Sequence, residues 1–453
     1  MTSCYWSLCR SNRWITAIVL ILLTAEGVHP NGLKISLRDF PSAHAGTRIP
    51  EGWHIWAPRP EISPACYVDQ SQFRSAPASL AIAGNGNPAA YGGWVYRAEG
   101  IDEGHHYRLT AFYKTRGVRH EQLRVVARLD WQNLKEQRVG YPDYAYTTEP
   151  AGDWKKVTMK VVAPEGASQA LMEFTLGWSP EGTVWWDDIS LEEVPAPPRR
   201  IVRIGTVSLR PRQTGGKEGS LQAFLNALDR VAVGKPDIVC LGEGITLIGN
   251  SSSYTELAEP VPGPTTARLG QKAREHQMYI VAGLYEREGK VTYNTAVLID
   301  RQGKLAGKYR KVYLPREEIE GGLTPGSEYP VFETDFGKIG MMICWDVHYA
   351  DPARALAAKG AEIIFLPIWG GYTQLMQARA LENHVYLVTA GYDCETALFN
   401  PLGEALHSTK ESGVFKTLTV DLNQRFIEPW LGDMRGRFHK EIRWDLASPG
   451  LVE

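Results

Sequence analysis

The chain has 453 residues, too many for one ordinary core, and is 43% hydrophobic and 22% charged. Its formal net charge is -2, which excludes the strongly basic surface that a nucleic acid or an anionic lipid demands of a main partner. Two globular domains are therefore expected. Arg10 and Arg13 precede the apolar run Trp14 to Leu23, and Ala25 and Gly27 follow. A basic flank, a short apolar core and small residues make a secretory signal pattern over residues 1–27. The run is about ten residues, against roughly 20 for a membrane span. Export to the periplasm or the extracellular space is the expectation, with an uncleaved signal anchor in the membrane as the alternative. Cys66, Cys240, Cys344 and Cys394 remain after the signal. Four Cys in so long a chain are not a disulfide scaffold. No Cys-x-x-Cys or His-x-x-x-His pair supports a zinc site, so no metal and no cofactor is expected.

Residues 33–194 lack long helical periodicity. Candidate strands are Ser79 to Ile82, Tyr107 to Lys114, Leu123 to Trp131, Lys155 to Val162, Ala170 to Trp178 and Thr183 to Leu191. Gly, Pro, Asn and Asp clusters separate them, which predicts an all-β antiparallel sandwich. Trp53, Trp56, Trp94, Trp131, Trp178, Trp185 and Trp186 offer a sugar-stacking surface, although core filling accounts for most of them more simply. Asp187 and Asp188 suit either a structural calcium or a solvated turn. The segment Ser79 to Ile82, Tyr107 to Ala111 and Val184 to Leu191 resemble jelly-roll modules of the carbohydrate-binding, galactose-binding-like type. That resemblance implies a glycan as partner.

Pro195 to Arg200 reads as a stiff linker. From residue 201 to 444 strands alternate with helices. Ile201 to Val207, Asp237 to Leu241, Tyr279 to Gly283, Thr295 to Ile299, Ile339 to Ile343, Ile363 to Pro367 and Tyr386 to Gly391 are the strands. Helices run from Leu221 to about Val233 with Ser220 as cap, from Thr265 to His276, after Asp351 as cap, and near Gln374 to His384. This is an α/β domain with internally buried strands.

Cys344 falls where a buried strand ends, before a loop and a capped helix. A buried Cys acting as a small hydrophobe is the bland reading, and it suits Cys240 and Cys394. Glu243 ends the apolar strand Asp237 to Leu241. Lys311 follows Gly307-Lys-Tyr-Arg, and Glu318 and Glu320 lie in Glu317-Glu-Ile-Glu. Charges beside apolar runs are costly to bury unless they pair with each other. A thiol, a carboxylate and an ammonium together make a nucleophile, a base and an oxyanion stabiliser. His348, four residues past Cys344, suggests a Cys–His pair instead, but leaves Glu243 and Lys311 unexplained.

In order, the chain carries the Glu243 strand, Tyr293-Asn-Thr-Ala296, Tyr309-Arg-Lys311, Thr324-Pro-Gly326, Cys344-Trp-Asp346 and Arg379-Ala-Leu-Glu-Asn383. Together these motifs resemble the nitrilase, or carbon–nitrogen hydrolase, superfamily, over about Arg200 to Trp444. The resemblance implies an α-β-β-α sandwich and a catalytic triad of Glu243, Lys311 and Cys344. It implies Asn294 near the site, an oxyanion donor in the backbone N–H of Trp345, and a second Glu before the Pro-Gly. Glu320 is carried over for that role, with Glu318 as the rival. Implied too are a thioester at Cys344, a small amide or ureide as substrate, and a homodimer or higher homo-oligomer. Many relatives have Phe-Pro-Glu where this chain has Tyr349-Ala-Asp351, so the loop beside the nucleophile differs. Cys-Trp-Asp leans towards amide or N-carbamoyl substrates. A glycan- or envelope-binding protein, and an enzyme that passes the acyl group to an amine, are the competing functions.

Overall fold

The computed structural model describes residues 32–34 and 49–443. The signal pattern over residues 1–27 lies outside the described residues. Among those described, no helix is long and apolar enough to cross a membrane.

The N-terminal half is built of two antiparallel sheets packed face to face. One has seven strands: Ala65–Asp69, Ser79–Ala83, Thr183–Val194, His106–Arg116, Trp154–Val162 and Thr147–Ala151 in spatial order, with Gly32–Lys34 also paired to Thr183–Val194. The other has five: Trp53–Trp56, Tyr91–Glu99, Gln169–Gly177, Val125–Gln132 and Asp143–Ala145. Period-two alternation sends Leu109, Ala111 and Tyr113 inward from one strand, where they meet Trp94, Trp131, Phe174 and Trp186. Residues Glu121–Arg124 form a helical turn, so the expected strand from Leu123 begins at Val125. The Asp187 carboxylate accepts N–H bonds from Arg74 at 2.6 Å, Ser75 at 3.0 Å and Asp188 at 2.7 Å. Asp188 pairs with Arg74. Protein donors thus take up the oxygens that the calcium reading needs.

Two six-stranded sheets form the C-terminal half. The first runs, in spatial order, Leu305–Arg310, Val291–Ile299, Tyr279–Glu288, Ile238–Cys240, Ile201–Ser208 and Val414–Asp421. The second runs Val331–Glu333, Lys338–Met341, Ile363–Pro367, Tyr386–Ala390, Thr396–Phe399 and Ala405–Thr409. Alternation decides the layers. Ile238 and Cys240 face the second sheet and meet Met341, Phe365 and Val388. Val239 and Leu241 face the helices Lys217–Val231 and Pro264–His276. On the far side, Met342, Ile364 and Leu366 pack under the helices Asp351–Ala358 and Thr373–Asn383. The order is helix, sheet, sheet, helix. Strands covered on both faces read as continuous apolar runs, as the sequence shows.

Two predicted caps are corrected. The helix assigned to Leu221 begins at Lys217, and buried Ser220 donates instead to the Ile248 carbonyl at 2.8 Å. The later helix begins at Asp351 itself, whose carboxylate accepts from the Tyr313 hydroxyl at 3.2 Å.

The halves also touch beyond residues 195–200. A C-terminal strap lies on the sandwich: Arg425 pairs with Asp143, Lys440 Nζ donates to the Val125 carbonyl at 3.0 Å, and His439 stacks on Tyr146 at 4.7 Å.

Candidate active site

The strand Ile238–Cys240 delivers Glu243 three residues past its end. Leu241 N–H donates to Val281 at 2.8 Å and Gly283 N–H to Gly242 at 3.0 Å, so the segment stays tied to its neighbour. A Cβ on Gly283 would lie 2.7 Å from the Glu243 Cα. Only glycine allows so close an approach. The Tyr392 hydroxyl fixes the other side by donating to the Glu243 carbonyl at 2.8 Å.

Lys311 comes from the end of Leu305–Arg310. Lys308 and Arg310 alternate to one face and bind Glu286 at 2.5 and 2.7 Å. Tyr309 and Lys311 therefore face the opposite way, inward. Lys311 is 0% exposed. Its ammonium donates to Glu243 Oε1 at 3.0 Å and Glu318 Oε1 at 2.6 Å. Asn294 Nδ2 bonds Glu243 Oε1 at 2.8 Å and Glu318 Oε2 at 3.4 Å, bridging the two carboxylates.

Glu318, not Glu320, is thus the second carboxylate. Both lie on the short helix Arg316–Glu320. Two steps along a helix turn by about 200°, so one points in and the other out. Glu320 is exposed and pairs with Arg316 at 2.8 Å.

Cys344 has φ of +41°, a left-handed backbone rarely adopted by a side chain other than glycine. Holding it there costs on the order of 1–3 kcal/mol. Asp346 holds that turn. Its buried carboxylate accepts from Ile343 N–H at 2.9 Å, Tyr313 N–H at 3.0 Å and the Tyr309 hydroxyl at 2.7 Å. One side chain thereby ties the Cys344 turn to the segment carrying Lys311. The sequence reading missed this role, although Asp346 stands inside the Cys-Trp-Asp motif.

Electrostatics set the resting states. Burial first, and the Glu243 carboxylate second, raise the Cys344 thiol to about 12, while Lys311 pulls it down. The thiol is protonated at rest. Burial pushes the Lys311 ammonium pKa down, but Glu243, Cys344 and Glu318 more than reverse this, so it stays a cation. Burial raises the Glu318 pKa, with Lys311 opposing and Glu243 adding to it. Glu243 Oε2 is buried and has no hydrogen-bond partner. An acceptor left open beside a protonated thiol is where a proton can go.

His348 stacks on Trp345, ring centres 4.2 Å apart. The described thiol contact of Cys344 is the Gly370 carbonyl at 3.9 Å, with none to His348. Trp345 is the second residue of the 3-10 turn Cys344–His348, whose first N–H groups have no acceptor within the turn. Cys240 and Cys394 are buried core residues.

The pattern described as Carbon-nitrogen hydrolase matches residues 203–430, half of the chain. The chain belongs to the carbon-nitrogen hydrolase family. A "Nitrilase" of Pyrococcus abyssi is 39% identical over 35% of this chain and 62% of its own length. The "Omega-amidase NIT2" of Xenopus tropicalis is 31% identical over 38% of this chain and 69% of its own. Among solved structures, the Saccharomyces cerevisiae protein Nit3, a member of branch 10 of the nitrilase superfamily, is similar over 49% of this chain and 90% of that one, with 22% identity and a TM-score of 0.44.

Proposed function

We propose that the chain hydrolyses a non-peptide C–N bond of an amide or N-carbamoyl compound through a thioester on Cys344. The observation that carries this reading is the buried convergence of Glu243 and Glu318 on Lys311, with the charges of Glu243 and Lys311 acting on a protonated Cys344. As Sγ attacks the carbonyl carbon, Glu243 takes the thiol proton. Lys311 and the Trp345 N–H stabilise the oxyanion, each such donor being worth roughly 3 kcal/mol. Glu243 then returns the proton to the leaving nitrogen, and the C–N bond breaks to leave a thioester. It next takes a proton from water, whose oxygen attacks the thioester and frees the acid and the thiol. Glu318 keeps Lys311 charged throughout. The amide-processing activity named for the Xenopus relative supports an amide as substrate.

Ammonia release across amides, ureides and nitriles tests the reading, with intact-mass detection of a Cys344 adduct. Turnover retained by Cys344→Ala would end it. Product analysis with added amine separates hydrolysis from acyl transfer.

A second reading concerns the sandwich. Trp53, Trp94, Trp131, Trp185 and Trp186 are buried, but Trp56 and Trp178 are 36% and 45% exposed. Tyr91 lies between them, its ring 6.2 Å from Trp56 and 5.4 Å from Trp178. Adjacent exposed rings suit the apolar face of a sugar. Glycan-array binding lost in Trp178→Ala supports a glycan-binding role, and binding that survives both Trp56→Ala and Trp178→Ala rejects this ledge.

A further inference from the structure

A cleft of about 750 Å³ separates the sandwich from the hydrolase half. It lies far from the nucleophile. Its floor includes Lys338, Glu362 and Val385, which stand at the starts of the strands Lys338–Met341, Ile363–Pro367 and Tyr386–Ala390. Cys344 is six residues beyond Lys338, past the opposite strand end, about 20 Å away at roughly 3.3 Å per residue.

Charge in this cleft is one-sided. Eight Lys and Arg side chains line it, against four Asp and Glu, in a chain whose net charge is -2. The carboxylates are already taken. Glu121 holds Lys155, Glu362 holds Arg200, and Asp143 and Asp433 share Arg425. Lys338 pairs with Glu333 outside the cleft. Among the described residues, Lys160, Lys359, Arg435 and Lys440 have no carboxylate within 4.0 Å, and Lys359 Nζ donates to the Tyr329 carbonyl at 2.8 Å. Lys440 is only 7% exposed, and its ammonium, a triple donor, has the single Val125 carbonyl as acceptor. Burial lowers it to about 8. A buried cation with open donors is costly unless something negative completes its shell. The cleft's volume is in the range of small-molecule sites and larger than one phosphate group needs.

We propose that this cleft is a second ligand site, taking a small organic polyanion with phosphate or carboxylate groups that clamps the two halves together. Arg435 and Lys440 come from the C-terminal strap, Lys160 from the sandwich and Lys359 from the hydrolase half. An occupant would therefore be held by all three.

Isothermal titration of the full chain with pyrophosphate, citrate and uncharged trehalose, at matched ionic strength, tests this. The expected result is saturable binding of at least one anion below about 5 mM, a weak small-ligand affinity, with no heat from trehalose. Pyrophosphate alone would indicate a phosphorylated ligand, and citrate a polycarboxylate. Cys344→Ala should bind unchanged. Arg435→Ala should bind at least about tenfold more weakly, as expected for one lost charge-assisted bond. If Arg435→Ala fails to fold, exposed Lys160→Ala carries the same comparison. No saturable heat from either anion, or parental affinity in the folded charge variants, overturns the proposal.

Discussion

Lys311 sets its ammonium 2.6 Å from the Glu318 carboxylate, fully inside the protein. A charged hydrogen bond of this kind is worth about 1.5–3 kcal/mol. Glu318→Gln should therefore lower kcat about 10- to 100-fold, because the cation that the proposed mechanism sets against the oxyanion loses half its support. Glu320→Gln should stay within about twofold, since an exposed pair contributes little. Steady-state kinetics on the best substrate of the amide panel make the comparison. Equal loss in both variants would reject the assignment of Glu318.

Glu243→Gln keeps the shape of the side chain but cannot accept the thiol proton. General bases contribute typically 10²- to 10⁴-fold, and a loss of about that size is expected in kcat/KM. Glu318 still neutralises Lys311, so the variant should remain folded by circular dichroism. Near-parental turnover in a folded Glu243→Gln protein would remove the base from the mechanism.

Gly283→Ala should harm the enzyme without touching any reacting group. The added methyl meets the Glu243 backbone at 2.7 Å, and such overpacking costs about 1–3 kcal/mol. Both a lower melting temperature and a lower kcat are expected, since relief of the clash displaces Glu243. Unchanged values for both would mean that the two segments separate freely.

Asp346 gives a pH signature. Burial raises its carboxyl from 3.8 to about 6, against the bonds from Ile343, Tyr313 and Tyr309. Between those values the folded state holds a proton that the unfolded chain has lost. Stability therefore falls as pH rises through that window, by about 3 kcal/mol at 1.36 kcal/mol per unit. Asp346→Asn cannot titrate there. Denaturant midpoints of the parent should drop relative to Asp346→Asn from pH 4 to pH 7. A constant difference would show that Asp346 is ionised throughout.

Two of the catalytic candidates were legible because each stands just past an apolar run, whereas Lys311 follows the mixed strand Leu305–Arg310 and was legible only through its motif. Glu243 follows Ile238–Cys240, and Cys344 follows a strand whose inward residues are Ile339 and Met341. Two-faced burial writes such runs into the sequence. The sandwich was harder to read. The strand Tyr91–Glu99 carries Gly92 and Gly93, and Asp143–Ala145 is three residues long, so neither displays a clear alternation.

The sequence by itself determined the family-type motifs and the layered α/β half, and it nominated Glu243, Lys311, Asn294 and Cys344 as site candidates. Apolar periodicity is sufficient for the layers, and the order of the motifs, through the resemblance they carry, for the residues. Only the tertiary structure decided between Glu318 and Glu320, since the choice depends on which side of a five-residue helix faces Lys311. It alone separated the exposed Trp56 and Trp178 from five buried tryptophans, and it alone gathered Lys160, Lys359, Arg435 and Lys440 from distant segments into one cleft. Direction and proximity across the chain are properties of packing, and neither is encoded in the spacing of residues along it.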